Sequence, residues 1–574
     1  MKKIISFIIL SYCTIYVKAQ VTPFEKSKGH ETATYYEAIN YYKELSHNHS
    51  SISIKTIGMT DAGYPLHLVL LSKDKMFDPL TCHQNHKVVI LINNGIHPGE
   101  PDGIDASMMF VRDILNGKID LPKNVLIGII PIYNVGGSLN RNSYSRVNQN
   151  GPNSFGFRGN AQNLDLNRDF TKSDTKNSKA FATIFHYLNP EILVDNHVSD
   201  GADYQHTMTL IATQYDKLGG SLGNFLREKF EPALYKNMHL KGWDMTPYVN
   251  FETSTPDKGM EQFYDPPRYS SGYAALFQTV GFMPETHMLK PYSERVRSTY
   301  DLMRTMIETS SAMSEQLIEA RILTIENIKS SNTFPLSWKA DSIQHTEITF
   351  KGYEQAYKTS EATGLKRMYY DHTKPFSKQV NYFNHFNASV FVKKPKAYLI
   401  PQGWWVVIDL LKLNGVAVNR IKKDTIIDVE AYRIEDYKSL AKAYEKHHKN
   451  YNIRVSAANK SINFRGGDYI IYTNNETDRY LVEMLEPTGD DSFFAWNFFD
   501  AILQQKEGYS DYRWEDIAAE VLEKDPNLKA KLEARRQADS NFANNSSAQL
   551  DFIYKNSKFY EPEHMQYPVY RLVF

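Results

Sequence analysis

The chain has 574 residues, of which 42% are hydrophobic, 13% aromatic and 23% charged. This length favours two or more domains, and the aromatic content excludes a largely disordered chain. The 66 basic residues equal the 66 acidic ones in number, so the chain lacks the basic excess typical of a nucleic-acid-binding protein. The mean hydropathy of −0.49 argues against an integral membrane protein.

The N-terminal segment has the pattern of a secretory signal peptide. Two lysines precede an apolar stretch over residues 4–17, and the small residue Ala19 follows. The stretch is too short to span a bilayer, which favours cleavage after Ala19 over a membrane anchor. We therefore predict an exported protein, periplasmic or extracellular, without a membrane span. Cleavage leaves one cysteine, Cys82, so no internal disulfide is expected.

Strand-like and helix-like segments alternate between about residues 50 and 310. Continuous apolar runs rich in β-branched residues predict buried strands at 87–94 and 125–134, and shorter strands at 192–197 and 278–285. Helical periodicity predicts helices at 104–115, 177–188, 218–235 and 292–317. Such alternation predicts an α/β domain with a mixed, mostly parallel sheet flanked by helices, in which ligand sites lie at the carboxyl ends of strands.

A domain boundary is predicted between residues 319 and 342, where serines, an asparagine and Pro335 interrupt the helical pattern. We divide the chain into residues 1–19, 20–320 and 321–574, the last being an additional α+β region. In that region, the predicted strands are 397–401, 468–473 and 479–483, and the predicted helices are 404–413, 517–524 and 527–536. The segment 493–504 is predicted to be core. Aromatic residues of this half could also form a binding platform for sugars or polymers, although core is the commoner role, and the candidates are Trp404, Trp405, Phe493 and Trp496.

The first polar segment that follows a predicted strand contains His97 and Glu100, three residues apart in a turn. An imidazole and a carboxylate at this spacing can converge on one metal ion, and a catalytic zinc has three protein ligands. A solvated turn, with Glu100 at a helix N-terminus, explains this motif alone equally well.

The second segment, residues 163–170, contains Asn167 and Arg168. A planar guanidinium beside an amide is suited to holding a carboxylate through two hydrogen bonds. Taken alone, a surface ion pair between Arg168 and Asp169 is the simpler interpretation.

The third and fourth segments end in His197 and Glu285, each at the end of a predicted strand. His197 can reach the same sheet edge as His97, although an isolated histidine there is more often structural. A carboxylate at that edge is a candidate general base for water. His287 is predicted to be a packing or surface residue.

In this order and context, the four segments resemble those of the zinc carboxypeptidases of the carboxypeptidase A type, over roughly residues 30–315. The resemblance implies a catalytic domain at 20–320 with one Zn²⁺ per chain. The site residues that it implies are the zinc ligands His97, Glu100 and His197, the carboxylate-binding pair Asn167 and Arg168, and the general base Glu285. The C-terminal region resembles the extension of the large exported bacterial members.

The family has a further arginine that polarises the scissile carbonyl. We assign this role to Arg146, with Arg141 and Arg158 as alternatives. Val198 stands where the family often has serine after the third ligand, and His206 is the alternative for that ligand. A substrate-capping tyrosine also precedes the catalytic glutamate, and the candidates are Tyr264, Tyr269 and Tyr273.

The resemblance thus implies an exported zinc carboxypeptidase that hydrolyses the last bond of a peptide with a free C-terminal carboxylate. One alternative is the same zinc chemistry on cell-wall stem peptides. Another is a non-catalytic binding protein on a peptidase scaffold. No nucleic-acid partner is expected, and the oligomeric state is not predicted.

Overall fold

The computed structural model describes residues 20–251 and 255–573, so the predicted signal peptide lies outside the described residues. The helices up to residue 330 are α1 (Pro23–Lys26), α2 (Tyr35–Asn48), α3 (Pro79–Gln84), α4 (Asp102–Leu115), α5 (Val135–Leu139), α6 (Lys176–Leu188), α7 (Tyr215–Leu218), α8 (Gly220–Phe225), α9 (Glu231–Leu240), α10 (Ser270–Leu276), α11 (Tyr292–Ala312) and α12 (Ser314–Ser330). The strands are β1 (Ile52–Met59), β2 (Pro65–Leu71), β3 (Val88–Asn93), β4 (Val125–Ile130), β5 (Ile192–Asp195), β6 (His197–Ser199), β7 (Met208–Ala212), β8 (Thr246–Pro247), β9 (Met260–Glu261) and β10 (Val280–His287).

A nine-stranded sheet organises this first half, in the order β1-β2-β4-β3-β5-β10-β7-β8 with β6 also paired to β10. The central strands β4, β3, β5 and β10 run parallel, whereas β1, β2 and β7 join by antiparallel pairs. Every residue of β3, β4 and β10 is buried, as expected for parallel strands covered by helices on both faces. The predicted mixed, mostly parallel α/β fold is therefore confirmed.

The second half is an α+β region dominated by long hairpins. Its strands are β11 (Thr333–Ala340), β12 (Thr346–Thr359), β13 (Lys366–Phe383), β14 (Phe386–Lys393), β15 (Ala397–Ile400), β16 (Asn419–Arg420), β17 (Thr425–Ser439), β18 (Asn450–Phe464), β19 (Tyr469–Tyr472) and β20 (Tyr570–Leu572). Its helices are α13 (Trp405–Leu413), α14 (Asp478–Leu485), α15 (Asp511–Lys524), α16 (Pro526–Ala538), α17 (Ser540–Ala543) and α18 (Ser546–Lys555). A six-stranded sheet has the order β16-β19-β15-β20-β17-β18.

Two of the predicted helices in the first half are interrupted. The expected helix at 218–235 is broken by Gly219 and Gly220, which have φ of +70° and +57°, and by a π-helical turn just before Pro232. Proline has no N–H to continue the α-helical ladder, which accounts for the wider turn. The expected helix at 292–317 ends at Ala312 and resumes as α12. The boundary predicted at residue 320 therefore falls inside α12, whose end lies at Ser330.

The strand predicted at 479–483 is wrong, because these residues belong to helix α14. All eight residues of α14 are buried, but Arg479 and Glu483 lie four residues apart on one face, which is the helical period that the strand prediction overlooked. Pro526 begins α16 and separates it from α15, as predicted. The long hairpins β12–β13 and β17–β18 were not predicted.

The hydrophobic core beneath the central sheet continues into the second half. The Phe277 ring at the end of α10 lies 5.1 Å from the Tyr480 ring in α14, and the Tyr273 hydroxyl donates to Asn414 at 2.6 Å. Phe493 and Trp496 are fully buried, which confirms the predicted core segment and makes these two rings unavailable as a binding platform.

Two further features follow from the described residues. Cys82 is a buried free thiol in the short helix α3, which precedes β3. Within residues 20–251 and 255–573, no helix has both the length and the apolar character that crossing a bilayer requires.

Glu231, at the start of α9, is a buried carboxyl group that accepts a hydrogen bond from the Tyr215 hydroxyl. Burial raises the pKa of Glu231 from 4.5 to about 7. The folded state therefore holds this proton more tightly than the unfolded state does, and stability is lost as the pH rises from about 4.5 through 7. Relative to wild type, we expect Glu231→Gln to gain up to about 3 kcal/mol between pH 4.5 and pH 8.

Urea unfolding of both proteins at the two pH values measures this difference. Because the other titrating groups are common to both proteins, their contributions cancel. A difference in unfolding free energy that is the same at both pH values would contradict the prediction.

Candidate metal centre and substrate pocket

Three buried side chains, His97, Glu100 and His197, converge at the carboxyl end of the central sheet. His97 and Glu100 lie in the loop between β3 and α4, and His197 begins β6. One possible ligand atom of each lies within 4.8 Å of the others. The His97 Nδ1 atom is 3.2 Å from Glu100 Oε1, and the His197 Nδ1 atom is 3.1 Å from Glu100 Oε2. The turn motif thus faces inward and is not solvated.

Two further carboxylates hold the outer nitrogens of the imidazole rings. His97 Nε2 donates to Asp165 Oδ1 at 2.8 Å, and His197 Nε2 donates to Asp195 Oδ2 at 3.1 Å. Each ring is thereby oriented with Nδ1 toward the centre, the usual arrangement around metal-binding histidines. Neither aspartate was predicted, although each lies two residues before a residue of a predicted motif.

The inner nitrogen of His97 is buried and forms no hydrogen bond with any described residue. With Nε2 donating to Asp165, Nδ1 presents a lone pair toward the oxygen of Glu100. Two lone pairs that face each other repel unless a proton or a metal cation lies between them. This donor set of two imidazoles and one carboxylate suits Zn²⁺.

Charged neighbours control the ionisation of this cluster. Burial would raise the pKa of Glu100, but His97, Arg146 and His197 hold it well below its ordinary value. Burial would likewise lower the pKa of His197, but Asp195, Glu100 and Glu285 hold it well above 6.5. These shifts favour the charged form of both Glu100 and His197.

Glu285 lies on the same sheet edge, directly beside His197 in the parallel pair of β10 and β6. Its side chain lines the same pocket as the three convergent residues. Burial, reinforced by the negative charge of Glu100, raises the pKa of Glu285 to about 7 against the opposing effect of His197. A carboxylate with a pKa near neutral is suited to exchanging protons at neutral pH.

Arg168 also lines the pocket. Its guanidinium lies 4.2 Å from the centre of the Tyr269 ring, Nη1 donates to the Asn167 carbonyl at 2.8 Å, and Nε donates to the Tyr444 hydroxyl at 2.9 Å. Nη2 has no acceptor among the described residues. Asp169 instead binds Lys172 at 2.8 Å, so the suggested Arg168–Asp169 ion pair is wrong.

Of the three candidate arginines, Arg146 and Arg158 line the pocket, and Arg141 binds backbone carbonyls elsewhere. Arg146 donates to Glu100 at 2.7 Å and to the Val198 carbonyl at 3.1 Å. The side chain of Arg158 is 46% exposed and that of Arg146 is 14% exposed. Arg158 is therefore the more accessible of the two.

Only backbone atoms of Val198 take part in the centre, because its N–H donates to Glu100 at 3.0 Å. Valine in place of serine at position 198 therefore leaves this backbone hydrogen bond to Glu100 available. His206 lies outside the cluster: its ring bonds to the backbone of Asp244 and Lys351. His287 bonds to the Ala202 carbonyl and packs against a tyrosine, consistent with a structural residue.

Among the tyrosines, Tyr269 lines the pocket, whereas Tyr264 stacks on Phe386 and Tyr273 is buried in the core. Tyr248 also lines the pocket and was not predicted. The pocket has a volume of about 320 Å³. Its lining residues are His97, Glu100, Arg146, Arg158, Asn167, Arg168, His197, Val198, Ser199, Asp200, Ile211, Tyr248, Phe263, Tyr269, Met283, Glu285 and Met288.

Part of this chain is similar to known carboxypeptidases. A family model described as zinc carboxypeptidase matches residues 38–254. Carboxypeptidase 2 of Trichophyton tonsurans is 21% identical over 453 residues, covering 75% of this chain and 77% of that protein. Carboxypeptidase 2 of Trichophyton rubrum is 21% identical over 432 residues, covering 72% and 74%. The structure of a putative carboxypeptidase A from Shewanella denitrificans covers 49% of this chain and 69% of its own at 17% identity, with a TM-score of 0.36.

Proposed function

We propose that this chain, whose residues 38–254 match the zinc carboxypeptidase family model, is an exported enzyme that removes the C-terminal residue from peptides. The observation that carries this proposal is the meeting of three kinds of group in one pocket: a metal-binding cluster, a proton-exchanging carboxylate and an arginine with a free donor. The presence of all three favours a catalyst over a binding protein on a peptidase scaffold.

His97, Glu100 and His197 would hold the zinc ion through both Nδ1 atoms and the Glu100 carboxylate. The fit rests on the unpartnered His97 Nδ1 atom and on Asp165 and Asp195, which fix the two rings. Bound zinc supplies Lewis-acid chemistry, which activates water and polarises a carbonyl group.

Glu285 is the residue that we assign to proton transfer. It is not one of the three proposed ligands, and its carboxylate faces the same pocket beside His197. It would take a proton from the attacking water and deliver it to the nitrogen of the leaving amine, which balances the hydrolysis. A carboxylate serves both steps, because the group must accept and then release the same proton.

Asn167 and Arg168 would bind the C-terminal carboxylate of the substrate. The free Nη2 of Arg168 offers a donor, and a fixed guanidinium holds a carboxylate with defined geometry. This anchoring places only the last peptide bond near the metal cluster. The cations of Arg146 and Arg158 would stabilise the negative charge that develops on the carbonyl oxygen, an effect worth about 3 kcal/mol per donor.

Metal removal tests the proposal directly. Purified protein should contain one zinc per chain and release free amino acids from the C-termini of peptides. A chelator should abolish this release, and added Zn²⁺ should restore it. A panel of peptides with varied last residues, assayed beside purified cell-wall fragments, separates general peptides from stem peptides. Full activity in metal-free protein would contradict the proposal.

A further inference from the structure

The second half of the chain reaches the substrate pocket through the tip of the β17–β18 hairpin. At this tip, Tyr444 and His447 exchange backbone hydrogen bonds of 2.8 and 3.0 Å around Glu445 and Lys446. We call these four residues the 444–447 turn. Glu445 and Lys446 have φ of +47° and +76°.

Two successive left-handed residues define the tight hairpin turn that asparagine and glycine usually occupy. A glutamate and a lysine are strained in this conformation, which persists only where surrounding contacts impose it. The contacts of the 444–447 turn are therefore informative about its role.

Those contacts are made with the segment that carries the proposed carboxylate-binding pair. The Tyr444 hydroxyl accepts a hydrogen bond from Arg168 Nε at 2.9 Å. The Glu445 carboxylate accepts one from the backbone N–H of Asp165 at 2.8 Å. Three residues of the turn thus contact residues 165–174, because His447 also donates to Asp174 at 2.8 Å.

The turn is itself anchored in the second half. The Tyr444 ring stacks on Trp496 with centroids 6.1 Å apart and an interplanar angle of 18°. Trp496 is fully buried, and Lys172 of the first half lies 5.6 Å from the centre of its ring. Tyr444 therefore sits on a rigid base, not on a free loop.

We propose that Tyr444 is a positioning residue for Arg168, so that the second half of the chain takes part in recognising the substrate carboxylate. This inference rests on the proposed function. Tyr444 fixes Nε of Arg168, and Tyr269 covers one face of the guanidinium. Fixing the guanidinium before the substrate arrives reduces the rotational freedom lost on binding. The free Nη2 donor of Arg168 is then already oriented before the substrate carboxylate binds.

Tyr444→Phe tests this inference because it removes only the hydroxyl group. For an N-acylated dipeptide with a free carboxylate, we expect KM to rise about 3- to 10-fold, the size of one ordinary hydrogen bond, while kcat changes less than about 2-fold and the thermal midpoint stays the same. For the same dipeptide with a C-terminal amide, KM should not change. Tyr451→Phe is the matched control, since Tyr451 is an exposed tyrosine on β18 of the same hairpin.

A double-mutant cycle with Arg168→Ala separates positioning from general structure. The effect of Tyr444→Phe should disappear when Arg168 is absent, because the lost hydrogen bond no longer exists in either protein. Persistence of the effect in the Arg168→Ala background, or an unchanged KM in the Tyr444→Phe single variant, would overturn the inference.

Different results would contradict the proposed function and the role of Tyr444. If wild-type protein treats the free carboxylate and the amide alike, the proposed function is wrong. If wild-type protein discriminates between them but Tyr444→Phe discriminates equally well, only the role of Tyr444 is wrong.

Discussion

Replacing Glu285 with glutamine is expected to lower kcat by about 10²- to 10⁴-fold, the range attributed to a positioned general acid or base, while one zinc per chain remains bound. Glutamine has nearly the same shape and keeps the packing at the end of β10, but its amide cannot accept the proton of water. Glu285 is not among the three proposed ligands, so metal content should not change. Turnover measurements and metal analysis of the purified variant provide the two readouts.

Glu231→Gln is the matched control for this experiment. It is the same chemical change at another buried carboxyl whose pKa is also raised to about 7, but outside the substrate pocket. We expect it to keep near-normal kcat below its unfolding temperature. Near-wild-type turnover in Glu285→Gln, or loss of its zinc, would remove Glu285 from the proposed role.

Arg168→Ala is expected to reduce kcat/KM by about 10²-fold for peptides with a free C-terminal carboxylate, which corresponds to about 2.7 kcal/mol of lost charged hydrogen bonding. For the matching C-terminal amides the loss should be only a few-fold, since an amide cannot form a charge-assisted pair with the guanidinium. Steady-state kinetics on paired acid and amide substrates measure both values.

Arg168→Lys extends this test, because lysine keeps the charge but not the planar pair of donors. We expect it to recover only part of the lost discrimination. Arg297→Ala, at an exposed position on α11, is the control for removing an arginine and should leave both substrates unaffected. Equal losses on acid and amide in Arg168→Ala would show that Arg168 acts on folding or on the metal cluster instead.

Much of the first half could be predicted because its strands are buried on both faces. The segments that became β3, β5 and β10 are apolar runs, and a polar residue at or just beyond the end of each one is conspicuous. His97, His197 and Glu285 were predicted in this way to reach one sheet edge, where the structure places them.

The second half could not be predicted as well, for a physical reason. Strand β18 is exposed along most of its length and is held by backbone hydrogen bonds to β17, which leave no hydrophobic period in the sequence. The contact between Arg168 and Tyr444 joins residues 276 positions apart. No local sequence pattern predicts such a contact, so this part of the pocket can be identified only from the three-dimensional structure.

The continuous core between the two halves limits how the chain can be divided. A fragment ending near residue 330 would lose the partners of Phe277 and Tyr273 and present these aromatic surfaces to water. Association of such fragments through the uncovered face would be the expected outcome. Truncation is thus a poor route to a smaller enzyme, and shortening the exposed hairpin β12–β13 at its far end, which leaves the aromatic core covered, is the better starting point for redesign.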